Sequence, residues 1–248
     1  MKRVSEKVAL ITGAASGLGR ADALALAREG ARVVVSDLNE EAGQALAKEI
    51  DGVFVRQDVR SEEDWAKAVG LALSHFGRLD VLVNNAGIVV PADIETASLE
   101  QYPLLNAVHA EGTFLGCQAA LKAMKGNPGA TGSIINISSL SAVRGFPGVI
   151  TYAAAKGAIL SMTTTIAAHC REKGYAIRCN AILPGMINTP LLAAVGADTL
   201  PGLGQPLPRL ALAADRVYQP QRKRLAPGIG TPVGQLLHPR RRHVPPGG

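Results

Sequence analysis

Val8-Ala9-Leu10-Ile11-Thr12-Gly13-Ala14-Ala15-Ser16-Gly17-Leu18-Gly19 runs from an unbroken apolar stretch into three glycines and on into a helix-forming pattern. Continuous apolar residues without alternation suit a parallel strand covered on both faces. The three glycines then have separate reasons to be there. Gly13 permits a tight turn out of the strand, Gly17 lets backbone approach a pyrophosphate, and Gly19 lets the following helix pack closely on the sheet. That helix N-terminus offers free N–H groups and a favourable dipole to phosphates. Glycine-rich turns are common, so the triplet gains its meaning from its surroundings. The second apolar run ends in Val33-Val34-Val35-Ser36-Asp37. A carboxylate there can accept bonds from adenosine ribose hydroxyls and repels a 2′-phosphate, although an Asp opening a loop is also an ordinary turn former. The glycine turn holds no Lys or Arg, and Arg20 lies just beyond it. The expectation is a dinucleotide site with NAD(H) preferred to NADP(H), contacted by Gly13, Ser16, Gly17, Leu18, Gly19 and Asp37.

Outward from this stretch, strand-like and helix-like patterns alternate as far as residue 183. The expected strands are Lys7–Thr12, Ala31–Ser36, Val53–Arg56, Leu79–Val83, Ser133–Ser138 and Tyr175–Leu183. Amphipathic stretches lie between them at 17–29, 40–50, 61–75, 98–124 and 151–172. Asn39 and Ser61 stand where helix N-caps belong, and Ser61-Glu62-Glu63-Asp64 puts acids in a first turn. Such alternation predicts an α/β fold, a doubly wound parallel sheet of the Rossmann type with right-handed crossovers, in a single domain over residues 1–195.

Tyr152-Ala153-Ala154-Ala155-Lys156 opens the last of those helices, and i to i+4 spacing sets the two polar side chains on one face. A Tyr and a Lys at this spacing are by themselves a frequent accident. Here they stand with the glycine turn, with Asn84-Asn85-Ala86-Gly87 after the fourth strand, and with Ser139 thirteen residues before the tyrosine. In order and spacing these elements, with Pro184-Gly185 and Thr189-Pro190, resemble the short-chain dehydrogenase/reductase family over residues 5 to about 195. Cys170 to Arg178 is most similar to bacterial hydroxysteroid and alicyclic alcohol dehydrogenases.

The resemblance implies an NAD-dependent oxidoreductase that interconverts a secondary alcohol and a ketone, on an apolar cyclic or steroid-like substrate. A free tyrosine keeps its proton to a pKa near 10, too high for a base at neutral pH. The Lys156 ammonium and an oxidised nicotinamide ring would stabilise the phenolate and lower that value. Tyr152 then serves as general base or acid, Lys156 also bonds the nicotinamide ribose, and Ser139 holds the substrate oxygen, with Ser138 and Ser141 as structural neighbours. By position, Asp58 and Val59 meet the adenine, Asn85, Ala86 and Gly87 the ribose side, and Pro184, Gly185, Ile187 and Thr189 the nicotinamide end. One departure stands out. Where the family has an asparagine that anchors a relay water, Val108-His109-Ala110-Glu111-Gly112 carries His109. Imidazole can bond a water or a backbone carbonyl, so either a relay or a packing role is open; Asn106, one turn earlier, is the weaker stand-in.

Composition sets the remaining bounds. At 248 residues with 47% hydrophobic and 19% charged residues the chain suits a globular domain. It has no apolar run of about 18 residues, so no membrane span is expected. Val8 to Ile11 is too short for a signal-peptide core. Cys117, Cys170 and Cys179 form no C-x-x-C pair and read as buried thiols in a reducing, cytoplasmic setting, with no metal site expected. The net charge of +6 is unevenly spread: residues 1–195 hold 18 basic and 18 acidic residues, and 196–248 hold 8 and 2 with 9 of the 15 prolines. Gln219 to Arg224 and His238 to His243 stand where the family has a helix and a last strand. A shifted reading frame in GC-rich coding sequence produces such text, and sequencing the gene distinguishes it from a native end. With a native basic, Pro-rich end, an exposed sheet edge is expected. Loss of the family's usual end also sets up a rival function, a cofactor-binding protein with impaired catalysis. The basic tail suits nonspecific phosphate contact, but with Tyr218 as its aromatic it lacks a base-stacking platform, so no specific nucleic-acid partner is expected. Homodimer or homotetramer formation, through helices 98–124 and 151–172, is implied by the resemblance.

Overall fold

The computed structural model describes residues 2–195 and the two-residue strand at 217–218. The elements are β1 (Val8–Thr12), α1 (Gly17–Arg28), β2 (Arg32–Asp37), α2 (Glu40–Glu49), β3 (Val53–Arg56), α3 (Glu62–Phe76) and β4 (Val81–Asn84). Then come α4 (Gln101–Asn106), a π segment (Ala107–Glu111), α5 (Gly112–Met124), β5 (Thr131–Ile137), a 3-10 turn (Leu140–Ala142), α6 (Ile150–Glu172), β6 (Ala176–Ile182), α7 (Pro190–Val195) and β7 (Val217–Tyr218). They build one sheet in the order β3-β2-β1-β4-β5-β6-β7. Its first six strands pair in parallel. This is the expected doubly wound Rossmann arrangement. The strand order reverses between β1 and β4, and such a switch point opens a crevice beyond the carboxyl ends of the strands.

Burial explains why β1 reads as a continuous apolar run. Leu10 packs with Val34, Trp65, Leu82 and Ile134 in the core on one face of the sheet. Its neighbour Ile11 packs with Ala23, Val33, Val35 and Leu46 on the other. Both faces of the strand are therefore covered. Both expected caps form: the Asn39 side chain accepts from the Ala42 N–H at 3.1 Å, and Ser61 from the Asp64 N–H at 3.1 Å. Cys117, Cys170 and Cys179 are free and buried. Among the described residues, no helix is long and apolar enough to cross a membrane.

Three expectations are corrected. Strand ends move by one or two residues, and Asp37 closes β2 as its last paired residue, opposite Arg56. The single helix expected at 98–124 is instead α4, the π segment and α5; regular α spacing is lost where His109 turns inward, and 98–100 lie ahead of the first helical turn. Thirdly, β6 does not form a bare edge throughout: β7 pairs antiparallel with it at Ala181 and Ile182. The rest of the segment 196–248, with its shifted-frame reading, lies outside the described residues.

Candidate active site

A cavity of about 570 Å³ lies along the carboxyl ends of the strands, lined at one end by the glycine turn and at the other by Ser139, Tyr152 and Lys156. The nucleotide end is made by backbone. Gly13 and Gly17 adopt left-handed φ of 63° and 55°, which only glycine takes without strain. A Cβ on Gly13 would stand 2.8 Å from the Ala86 Cα. Ser16 occupies the N-cap of α1, yet its side chain makes no capping bond, so the first N–H groups of that helix lack a side-chain acceptor. Gly13, Ser16, Gly17, Leu18, Asp37, Asp58 and Val59 all line the cavity, as do Asn85, Ala86 and Gly87. Gly19 is the exception. A Cβ there would strike the Gly13 carbonyl oxygen and the Asn85 amide, so this glycine supports the turn from behind and does not line the cleft.

The turn is also stitched across the switch point. The Asn85 amide donates to the carbonyls of Thr12 (2.9 Å) and Gly13 (3.1 Å), and the Thr12 hydroxyl accepts from the N–H groups of Asn85 and Ala86, both at 3.1 Å. Asn85 therefore lines the cleft while its amide is committed to the neighbouring loop. Asn84 points into the core, where its amide donates to Asn136 at 2.9 Å. The Asp37 carboxylate accepts from the Ala15 N–H at 2.9 Å and the Asn39 N–H at 2.9 Å. Asp58 is held by Arg60, whose guanidinium lowers its pKa. Val59 packs on Gly112 and gives its carbonyl to the Trp65 indole at 2.9 Å.

The other end is made by side chains, of which Lys156 is buried and Ser139 and Tyr152 are partly buried. Tyr152 and Lys156 occupy the first two turns of α6, with the Lys156 Nζ 5.5 Å from the centre of the phenol ring. That ammonium donates to the Ile137 carbonyl at 2.7 Å, and its burial pushes the pKa down to about 7. The Tyr152 phenol is raised above its ordinary value by burial, with the Ser139 hydroxyl pulling the other way. The lowering expected from Lys156 together with an oxidised nicotinamide is not produced by the protein's groups alone, where desolvation is the larger cause at Tyr152. Ser139 opens the 3-10 turn and accepts from the Ser141 N–H at 3.1 Å. Ser138 is structural, its hydroxyl donating to the Lys156 carbonyl at 2.9 Å.

His109 is buried in the π segment, edge to face with Tyr152 at 5.3 Å between ring centres. Its Nε2 lies 2.7 Å from the Ile88 carbonyl oxygen and 3.3 Å from the Ile88 nitrogen, and its Nδ1 is buried without a partner among the described residues. Burial, then the nearby Lys156 charge, pushes the imidazole down to about 3, so it is neutral at physiological pH. Gly87 makes room for it: a Cβ there would lie 2.5 Å from the His109 Cε1. Asn106 serves its own helix, donating to the Tyr102 carbonyl at 2.9 Å. Pro184, Gly185, Ile187 and Thr189 line the wall opposite α6.

Several lining residues carried no signal in the sequence. Gln57 is buried with its Nε2 unpaired while its Oε1 accepts from Ser36. Thr12, which ends β1 and does not line the cavity, holds two loop amides. Ser141, Arg144 and Phe146 reach the cavity from the loop before α6.

Comparison with known proteins gives one answer throughout. The short chain dehydrogenase family model matches residues 7–200. The chain is 43% identical to 3-beta-hydroxysteroid dehydrogenase from Comamonas testosteroni, over 89% of this chain and 86% of that protein. That share of the chain takes the similarity beyond residue 195. It is 44% identical to trans-4-hydroxycyclohexanecarboxylate dehydrogenase from Sinomonas cyclohexanicum, over 77% of this chain and 76% of that protein. The NADP-dependent (R)-specific alcohol dehydrogenase of Lentilactobacillus kefiri is 37% identical, over 77% of each.

Proposed function

The chain belongs to the short-chain dehydrogenase family, and from that premise we propose that it interconverts a secondary ring alcohol and its ketone with NAD(H), using Tyr152 as general base and acid. The observation that carries this reading is the convergence of Tyr152, Ser139 and Lys156 on one end of a cleft whose other end is the glycine turn and Asp37.

The residues present fit a dinucleotide. The side-chain-free turn and the uncapped start of α1 suit a pyrophosphate. Asp37, fixed by two backbone N–H groups, suits the adenosine ribose hydroxyls and opposes a 2′-phosphate. The nearby cations are already engaged: Arg20 pairs with Glu49 at 2.7 Å and Arg60 with Asp58. This favours NAD over NADP, although the Lentilactobacillus relative is named for NADP.

When bound, the nicotinamide gives or takes the hydride and, oxidised, brings a positive charge to this end of the cleft. The Ser139 and Tyr152 hydroxyls hold the substrate oxygen. In oxidation Tyr152 takes the hydroxyl proton as hydride leaves the carbinol carbon, and in reduction it returns that proton. Burial keeps the phenol protonated at neutral pH, which suits the acid role, so alcohol oxidation gains with rising pH and ketone reduction loses. Lys156 is the counter-charge for the phenolate. His109 ties the π segment to the loop after β4, and its unpartnered Nδ1 is the atom on which a proton relay past Lys156 would draw. Ile88, Val89, Leu140, Phe146 and Met186 line the substrate end and suit an apolar ring, in keeping with relatives named for steroid and cyclohexane alcohols.

Exposed Leu99, Tyr102, Leu104 and Phe114 on and beside α4 and α5 support assembly of two or four copies. The free buried cysteines suit a cytoplasmic setting. The test is absorbance of reduced cofactor with NAD+ or NADP+ and a panel of cyclic secondary alcohols. Turnover with a kcat/KM at least about tenfold higher for NAD+ is expected. Nucleotide binding without turnover of any alcohol overturns the reading and leaves a cofactor-binding protein.

A further inference from the structure

We propose that the substrate of this cleft carries a carboxylate on its ring, held by Arg144 with help from Ser141, so that Arg144 selects anionic over neutral ring alcohols. The proposal rests on the dehydrogenase reading above and specifies its substrate class.

Arg144, an exposed residue five positions after Ser139, lines the cavity from the loop between β5 and α6. The cavity's other charged lining residues are accounted for. Asp37 is bonded at the glycine turn, Asp58 and Arg60 hold each other beside β3, and Lys156 donates to the Ile137 carbonyl. Among the described residues, the carboxylates that form ion pairs all have other partners, and none pairs with Arg144. Asp37 and Asp58, the acids lining the cleft, belong to its nucleotide end, so among the described residues no carboxylate lining the cleft opposes Arg144.

Ser141 is the second, independent observation. It is 9% exposed, lines the same cavity, and its hydroxyl is buried without a hydrogen-bond partner. A buried hydroxyl left unpaired is destabilising, and an acceptor would remove that cost. The chain from Leu140 winds tightly, the Arg144 N–H donating to the Leu140 carbonyl at 2.9 Å. Ser141 and Arg144 stand three residues apart in that winding and both line the cavity, with Ser139 at the start of the same turn. A ring whose reacting oxygen lies at Ser139 and Tyr152 would present a far-side substituent to this pair. The planar guanidinium matches a carboxylate through two parallel N–H···O bonds, which a neutral substituent cannot form.

The measurement is kcat/KM with saturating NAD+ for trans-4-hydroxycyclohexanecarboxylate and for the neutral trans-4-methylcyclohexanol, in the wild type, Arg144→Gln, Arg144→Lys and Ser141→Ala. The ratio of the two values is internal to each variant, so loss of folded enzyme cancels. We expect a wild-type ratio above about 10. It should fall on the order of 10- to 100-fold in Arg144→Gln, recover partly in Arg144→Lys, and fall less in Ser141→Ala. Added salt should weaken it. A ratio near one in the wild type, or an unchanged ratio in Arg144→Gln, overturns the proposal while turnover of the neutral alcohol keeps the dehydrogenase reading intact. Turnover of neither alcohol, nor of any other in the panel, defeats both.

Discussion

The two ends of the cleft are built from opposite materials. At the nucleotide end side chains are missing: Gly13 and Gly17 take left-handed φ, Gly19 presses on the turn from behind, and Thr12 and Asn85 bind backbone groups across β1 and β4. At the catalytic end side chains are buried: Lys156 is 3% and His109 1% exposed, and the ordinary pKa values of the phenol, amine and imidazole have all been moved by desolvation. A site that binds a large, rigid, charged nucleotide needs backbone shape and dipoles held still. A site that moves one proton, the role proposed for Tyr152, needs tuned acidity, and apolar packing supplies such tuning.

Substitutions in one half should therefore leave a signature that the other half does not share. The largest effect belongs to Tyr152→Phe, which removes the proton-transferring atom and keeps the ring beside His109. Turnover should fall about 10²- to 10⁴-fold while NADH affinity, followed by fluorescence, changes no more than a few-fold. Retention of a tenth of the activity would show that proton transfer lies elsewhere. Next comes Gly13→Val. It places a β-branched residue at φ 63° with its Cβ 2.8 Å from Ala86. NADH affinity should drop roughly 10- to 100-fold, and Tm should fall by about 2–4 °C for each kcal/mol of strain. Undiminished affinity would mean that the turn does not hold the nucleotide.

The smallest effect sharpens the comparison through pH. The His109 imidazole sits near 3 in the folded protein and at its ordinary 6.5 when unfolded. Between those values the unfolded chain binds a proton that the folded chain refuses, so stability is lost as pH falls through 6.5 towards 3. His109→Asn lacks that proton. Its Tm should fall less than that of the wild type between pH 7 and 5, and its activity at pH 7 should stay within about tenfold. Parallel Tm curves for the two proteins would place His109 in a solvated environment and undo the account of the catalytic end.

Much of this was legible in the chain. The alternation of apolar runs and amphipathic stretches foretells the sheet because each strand is covered on both faces, and Asn39 and Ser61 cap the helices where their residue types indicate. Tyr152, Lys156 and Ser139 meet in space as their spacing implies. Other features were not legible because they depend on contacts distant in sequence. Gly19 turned out to face Asn85, sixty-six positions away, and not the cleft. The interruption of the 98–124 helix accompanies a bond from His109 to Ile88 across the cleft, and nothing within that stretch encodes it. Arg144 reads as one more charged loop residue until the loop is wound and its side chain lines the cavity.

By itself the order of residues determined which backbone positions can turn without a side chain, which faces must be covered, and which acid–base groups the chain has to offer; local sterics and hydrophobic periodicity act over a few neighbours and are written there directly. What only the tertiary structure decided is the state of those groups. The raised phenol, the lysine brought down to about 7 and the histidine kept uncharged are all consequences of burial, and burial is a property of the packed whole.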